Sequence, residues 1–241
     1  IPSEPSAPAA GEAFSTQPVA QIQDAYGNVI TSSSASVTAS ITANTGAAGS
    51  TLSGSTSVSA FNGVATFSGL SIDKAGSGYT LTLSSSDLTS AVTSEFSILS
   101  ASASALAFSV QPSGGTAGDT SALSTTVVIT DSLGNVVTDA SSDITVAITS
   151  GTGDSSGELL GAATVTAENG VATFSAVRIE KAASGYTLTA TASLLTSAVS
   201  SSFNISPAAA ETLAFSTEPG GSAANRAWDI QPVVSVQDSY G

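Results

Sequence analysis

The chain has 241 residues, with 18 acidic side chains against four basic ones (Lys74, Arg178, Lys181 and Arg226) and a formal net charge of −14. So few cations leave no footprint for a phosphate backbone, and an anionic membrane surface repels the chain, so nucleic-acid binding and membrane insertion are set aside. There is no Cys, His or Met, which removes disulfides, thiol nucleophiles, imidazole bases and the usual zinc and haem sites together.

In chain order the predicted elements follow a period of two rather than 3.6. "SVTASIT", beginning at Ser36, sets Val37, Ala39 and Ile41 on one face. Next, "STSVSAF" and "VATFSGL" flank Asn62-Gly63, a strong hairpin signal because both turn residues need positive φ. A two-residue turn there places Val58 opposite Phe67. "YTLTL" then groups Tyr79, Leu81 and Leu83. "DITVAIT" repeats the first pattern with Ile144, Val146 and Ile148, and Asn169-Gly170 places Val165 opposite Phe174. Tyr79 and Tyr186 each follow Ser-Gly and open a strand. They read either as tyrosine corners, with the hydroxyl bonded to nearby backbone, or as ordinary core-edge tyrosines.

This recurrence has one register. "FSVQP" at Phe108 and "FSTEP" at Phe215 stand 107 residues apart, and "IPSEP" at Ile1 stands 107 before Phe108. Asp24 thus maps to Asp131 and Asp238, Phe67 to Phe174, Tyr79 to Tyr186 and Phe96 to Phe203. A single register held over so long a stretch marks tandem repeats. The expected organisation is a first sandwich over 1–99, a second over 106–206 and the first strands of a third over 213–241, with short small-residue linkers at 99–105 and 206–212. About seven or eight short strands per repeat, with regular turn signals, describe an all-β protein of tandem Greek-key β-sandwiches.

The order of "LAFSVQP" (106–112), "DSLGNV" (131–136), "NGVATF" (169–174), "KAASGYTLT" (181–189) and "LTSAV" (195–199), echoed 107 residues earlier, resembles the tandem bacterial immunoglobulin-like repeats of invasin type. These occur in large surface adhesins and exported structural proteins. The resemblance covers nearly the whole chain and implies Ig-like sandwiches in an extracellular or bacterial cell-surface setting. It implies no activity, since such repeats mostly act as spacers.

A feature that recurs with the repeat belongs to the fold more readily than to a catalytic site. Asp24, Asp131 and Asp238 read as turn-forming aspartates followed by a positive-φ glycine, or as calcium ligands. No cofactor is expected, with calcium at these aspartates as the one considered. Asp73-Lys74 and Glu180-Lys181 read as solvated turns. No catalytic residue is assigned, and an enzyme is not expected. The positions that break the repeat are interface candidates. Trp228 stands where the others have Phe14 and Ser121, and Arg226 stands where they have Glu12 and Asp119. Val233, Val234 and Val236 form an apolar stretch whose opposing sheet is expected from a neighbouring repeat, either in the same polypeptide or in another chain by strand addition.

The function expected is a structural spacer in a long extracellular bacterial fibre, adhesin stalk or sheath, its partners being neighbouring Ig-like repeats and each sandwich adding roughly 30–40 Å. Two alternatives stand beside it. One is an adhesin module that binds glycan or protein through loops such as 44–51 and 151–158, which differ between repeats. The other is an accessory domain of an extracellular polysaccharide-acting enzyme. With no leader at Ile1 and no apolar run long enough to span a bilayer, any signal peptide is expected to be gone already.

Overall fold

A computed structural model describes residues 1–6, 8–119 and 123–241. The fold is all-β and immunoglobulin-like, and no helix among the described residues is long and apolar enough to cross a membrane. The chain forms two compact units. The first comprises Ile1–Ser104 with Thr130–Asp139, the second Ala105–Ile129 with Ala140–Gly241.

In the first unit, Ser36–Ile41 is the inner strand of a four-stranded sheet, between Ser57–Ser59 and Leu81–Ser84, with Ala91–Val92 at the far edge. Its alternation is the one the sequence predicts, with Val37 and Ala39 buried between exposed neighbours. The opposing layer pairs Val19–Gln21 with Val64–Thr66 and Gly76–Tyr79 with Phe96–Ile98. One core takes side chains from both layers: Val37, Ala39, Leu81 and Leu83 from the first, and Ala20, Ala65, Tyr79 and Ile98 from the second. With no disulfide available, this apolar burial carries the stability of the sandwich.

The second unit repeats the plan. Asp143–Ile148 lies between Thr164–Thr166 and Leu188–Thr191 in one sheet, and Thr125–Thr130 pairs with Val171–Phe174 in the other layer. This unit also contains an antiparallel pair from the third repeat, Thr212–Thr217 with Val233–Gln237.

Two details depart from the local reading. Asn62 and Gly63 do turn with φ of 50° and 77°, and Asn169 and Gly170 with 51° and 75°. Yet the hairpin is one rung deep, closed by Phe61 and Val64. Its arms then part into different sheets. Val58 faces Val37 rather than Phe67, and Val165 faces Ile144 rather than Phe174. The reason is layering: each arm finds a longer partner in its own sheet than the other arm provides. Likewise, "YTLTL" is not one strand. Tyr79 ends the strand Gly76–Tyr79, and the chain crosses to the other layer before Leu81–Ser84 begins. Such crossings divide the first repeat into ten short strands among the described residues.

Both tyrosines are corners. The Tyr79 hydroxyl donates to the Lys74 carbonyl at 2.8 Å, and Tyr186 to that of Lys181 at 2.9 Å. The rings are fully buried and stack on Phe96 and Phe203, with centroids 5.9 and 6.0 Å apart. Burial pushes the Tyr186 hydroxyl above the ordinary tyrosine value.

Candidate functional site

The recurring aspartate is the most developed polar feature of the chain, and its geometry begins with its own turn. In the first repeat, Asp24 Oδ1 accepts the backbone N–H groups of Tyr26 and Asn28, each at 2.9 Å, while the Asn28 side-chain amide donates to Oδ2 at 3.0 Å. Gly27, at φ 86°, closes the turn. This is an aspartate holding its own backbone, as short polar side chains in turns do.

The second-repeat turn repeats these bonds and adds others. Asp131 Oδ1 accepts from Leu133 and Asn135 N–H at 2.9 Å. Its Oδ2 accepts the N–H of Ala101, in the linker, at 3.0 Å. The Asn135 side chain uses both ends of its amide: Oδ1 accepts from Ala75 N–H and Nδ2 donates to the Asp73 carbonyl, both at 3.0 Å. Leu133 covers Gly11, which at φ +80° has no Cβ to obstruct it; a Cβ there would stand 2.8 Å from Leu133 Cδ1. All these residues belong to the first unit. The turn therefore ties down the linker and braces against the 73–75 segment at once.

The third-repeat turn does the same within the second unit. Asp238 Oδ2 accepts Ala208 N–H at 2.8 Å, and Oδ1 accepts Tyr240 N–H at 2.9 Å. Tyr240 lies over Gly118, the counterpart of Gly11, and its carbonyl accepts the Lys181 ammonium at 2.6 Å. A second rung recurs beside the aspartate: Ser104 N–H to the Thr130 carbonyl, and Glu211 N–H to the Gln237 carbonyl, each 2.8 Å.

Electrostatics follow the bonds. The Asn28 side chain, then its backbone N–H, holds the Asp24 carboxyl below the ordinary carboxylate value. Burial opposes charge on Asp131, but the Asn135 amide and the N–H groups of Asn135, Ala101 and Leu133 outweigh it, so its carboxyl is also lowered. The Ala208 N–H is the main cause of the same shift at Asp238. Each carboxylate is thus charged at neutral pH and turned onto N–H donors. Considered as calcium ligands, Asp24, Asp131 and Asp238 each stand in a separate turn. Among the described residues no group of three or more acidic, His or Cys side chains is placed to hold a metal ion.

The other acid–base neighbours resolve separately. Asp73 accepts the Thr51 N–H, and Lys74 reaches the Ala48 carbonyl. Glu180 pairs with Arg178 at 3.0 Å. The two loops that differ in sequence share a frame. Thr45 and Thr152 hydroxyls both donate three residues back, to the carbonyls of Thr42 and Thr149.

The interface candidates fall into two settings. Phe14 is 2% exposed and meets Phe96 edge-on at 5.6 Å, while Trp228 is 49% exposed. Both carbonyls accept a glutamine amide from three residues on, Gln17 at 2.8 Å and Gln231 at 2.7 Å. Trp228 therefore has the local frame of a core aromatic. Ser121 lies outside the described residues. Glu12 and Arg226 are exposed, and Arg226 makes no ion pair among the described residues. Val233, Val234 and Val236 are exposed on the third-repeat pair, together with Leu213 and Phe215. Sequence reasoning missed Leu133, Asn135 and Gly11. The available signal was Gly11 and Gly118 recurring at the repeat distance outside any predicted turn.

No family model matches the chain, and no curated protein does. Among solved structures it is similar to FdeC, an Escherichia coli adhesin, at 19% identity over 99% of this chain and 73% of that one, with a TM-score of 0.38. It is similar to extracellular domains 3–5 of Drosophila OTK at 15% identity, over 97% of this chain and 75% of that one, with a TM-score of 0.35. A β-glycosidase from Bacteroides vulgatus aligns at 14% identity over 69% of this chain but only 21% of its own, with a TM-score of 0.31.

Proposed function

We propose that this chain is a non-enzymatic structural spacer of an extracellular bacterial fibre, adhesin stalk or sheath, built from Ig-like repeats in series. The observation that carries the reading is the same fastening found twice at the repeat distance: Asp131 on Ala101, and Asp238 on Ala208. A spacer needs linkers that do not fray under load. A charged acceptor on the linker N–H, with a second backbone rung beside it, supplies such a hold. The recurrence of polar features with the repeat favours an architectural role over a singular catalytic one. A high acidic charge keeps adjacent stalks apart in solution. Completion of a sandwich by a strand of the next repeat, in the same or another chain, is the assembly mode this reading favours.

Negative-stain imaging of the native material tests it. Continuous fibres with a regular axial repeat are the expected result, and discrete compact particles would sink the reading. Limited proteolysis sharpens the test: Asp131→Ala should open residues 99–105 to cleavage, and an unchanged pattern would remove the supporting role of the turn.

A further inference from the structure

Of the seven asparagines in the chain, Asn62 and Asn169 alone precede glycine, and the fold treats the two pairs alike. Each pair is a hairpin tip, closed by Phe61 and Val64 in the first unit and by Glu168 and Val171 in the second. The asparagines are exposed and the glycines buried. Each glycine peptide is held from both sides. Gly63 N–H donates to the Ser33 carbonyl at 3.0 Å, and the Gly63 carbonyl accepts the Ile22 N–H at 2.8 Å. One repeat on, Gly170 N–H donates to the Ala140 carbonyl at 2.9 Å, and the Gly170 carbonyl accepts the Ile129 N–H at 2.8 Å. A Cβ on Gly63 would stand 2.4 Å from the Ile30 carbonyl oxygen, so space as well as φ requires glycine there.

An asparagine before glycine is chemically labile, because no side chain shields the next amide nitrogen. In an open chain that nitrogen attacks the asparagine Cγ. A new N–Cγ bond closes a cyclic imide, the Cγ–Nδ2 bond breaks, and the glycine proton leaves with ammonia. Water then opens the imide at either carbonyl, giving aspartate or isoaspartate. The folded chain blocks the first step twice. With φ of 50° and 51°, Asn62 and Asn169 lie in the left-handed region, where the following nitrogen is turned roughly anti to Cβ and so away from Cγ. The proton that must leave is bonded to the Ser33 or Ala140 carbonyl, out of reach of solvent base.

We propose that Asn62 and Asn169 are deamidation sites gated by the opening of their own hairpins. While a tip is closed, the nitrogen faces the wrong way and its proton is held. Once the bonds to Ser33 and Ile22, or to Ala140 and Ile129, are broken, the asparagine can rotate and the imide forms. The two products differ in what they permit. Aspartate still tolerates the left-handed conformation. Isoaspartate carries the backbone through an extra methylene, for which a two-residue turn closed by one residue pair has no room. A tip that stands open long enough therefore does not close again, and each repeat keeps a covalent record of the time it has spent unfolded.

The test incubates the full chain at mildly alkaline pH, folded and in urea, beside free peptides spanning 59–66 and 166–173. Deamidation is read at each site by peptide mapping, and isoaspartate by enzymatic methylation. Both sites should convert at the peptide rate in urea and at least about tenfold more slowly in the folded chain. Phe174→Leu, which loosens the core of the second unit, should speed conversion at Asn169 and leave Asn62 unchanged. Ile179→Val provides a milder version of the same test if that chain does not fold. Chains that gained isoaspartate in urea should fail to regain native circular dichroism on dilution, whereas Asn62→Asp and Asn169→Asp should refold. Conversion of the folded chain at the peptide rate overturns the proposal. So does equal acceleration of both sites by Phe174→Leu, or full refolding of the isoaspartate chains.

Discussion

Two strand pairs in the second unit have related sequences and different surroundings. Ala105–Val110 lies beside Thr125–Thr130 over a filled core, with Leu106 5% and Ile129 0% exposed. Thr212–Thr217 pairs with Val233–Gln237, and the matching Leu213 and Val236 are 72% and 68% exposed. The ladder forms in both places; the core forms in one. Backbone pairing is thus a product of the strands themselves, whereas burial depends on a second layer that the pair does not contain.

The contrast can be tested by paired substitutions. The largest effect is expected at Ile129→Ala, which opens a cavity in a closed core and should cost roughly 2–5 kcal/mol in urea denaturation. Val236→Ala, at the matching position, should change stability by no more than about 0.5 kcal/mol. Equal losses would mean that the third-repeat face is covered in solution.

Next comes Asp131→Ala, which leaves the N–H groups of Ala101, Leu133 and Asn135 without their acceptor and should destabilise the first unit by about 1–3 kcal/mol. Asp24→Ala, where the carboxylate bonds Tyr26 and Asn28 of its own turn, should shift the melting temperature less. Tyr79→Phe and Tyr186→Phe should each cost about 1 kcal/mol by the loss of one hydrogen bond. Both sit in closed sandwiches with the same bond, so a large difference between them would break the equivalence of the repeats.

The smallest effect is a pH dependence. The folded Asp131 carboxyl titrates below its unfolded value of about 3.9, so its contribution is fully present above that pH. It is lost as the pH falls through the lower folded value. Asp131→Asn should therefore flatten the acid limb of the stability profile and leave its shape near neutrality unchanged.

Much of the fold was legible because it is local. Val37 and Ala39 alternate as a half-buried strand must, and Asn62-Gly63 has the residues a positive-φ pair requires. The sequence also placed Tyr79 and Tyr186 where corners form, without deciding between corner and core edge. The parting of the hairpin arms was not legible, because turn chemistry specifies the reversal and not which sheet each arm joins. The docking of Asn135 on Asp73 and Ala75 was hidden for a related reason: residues some sixty positions apart meet through tertiary packing that no periodicity records. At Trp228 the sequence marked a departure from the repeat, and the structure adds the Gln231 bond that places it in the frame of Phe14.

The fastening of each linker by the turn that follows it has a genetic consequence. Every joint is written by two neighbouring repeats, the linker by one and its aspartate turn by the next. Recombination that adds or deletes whole multiples of 107 codons leaves each linker with a turn to hold it. A deletion that removes a turn and spares the linker before it leaves that linker without its aspartate. Length can then change in units of one repeat with every joint kept.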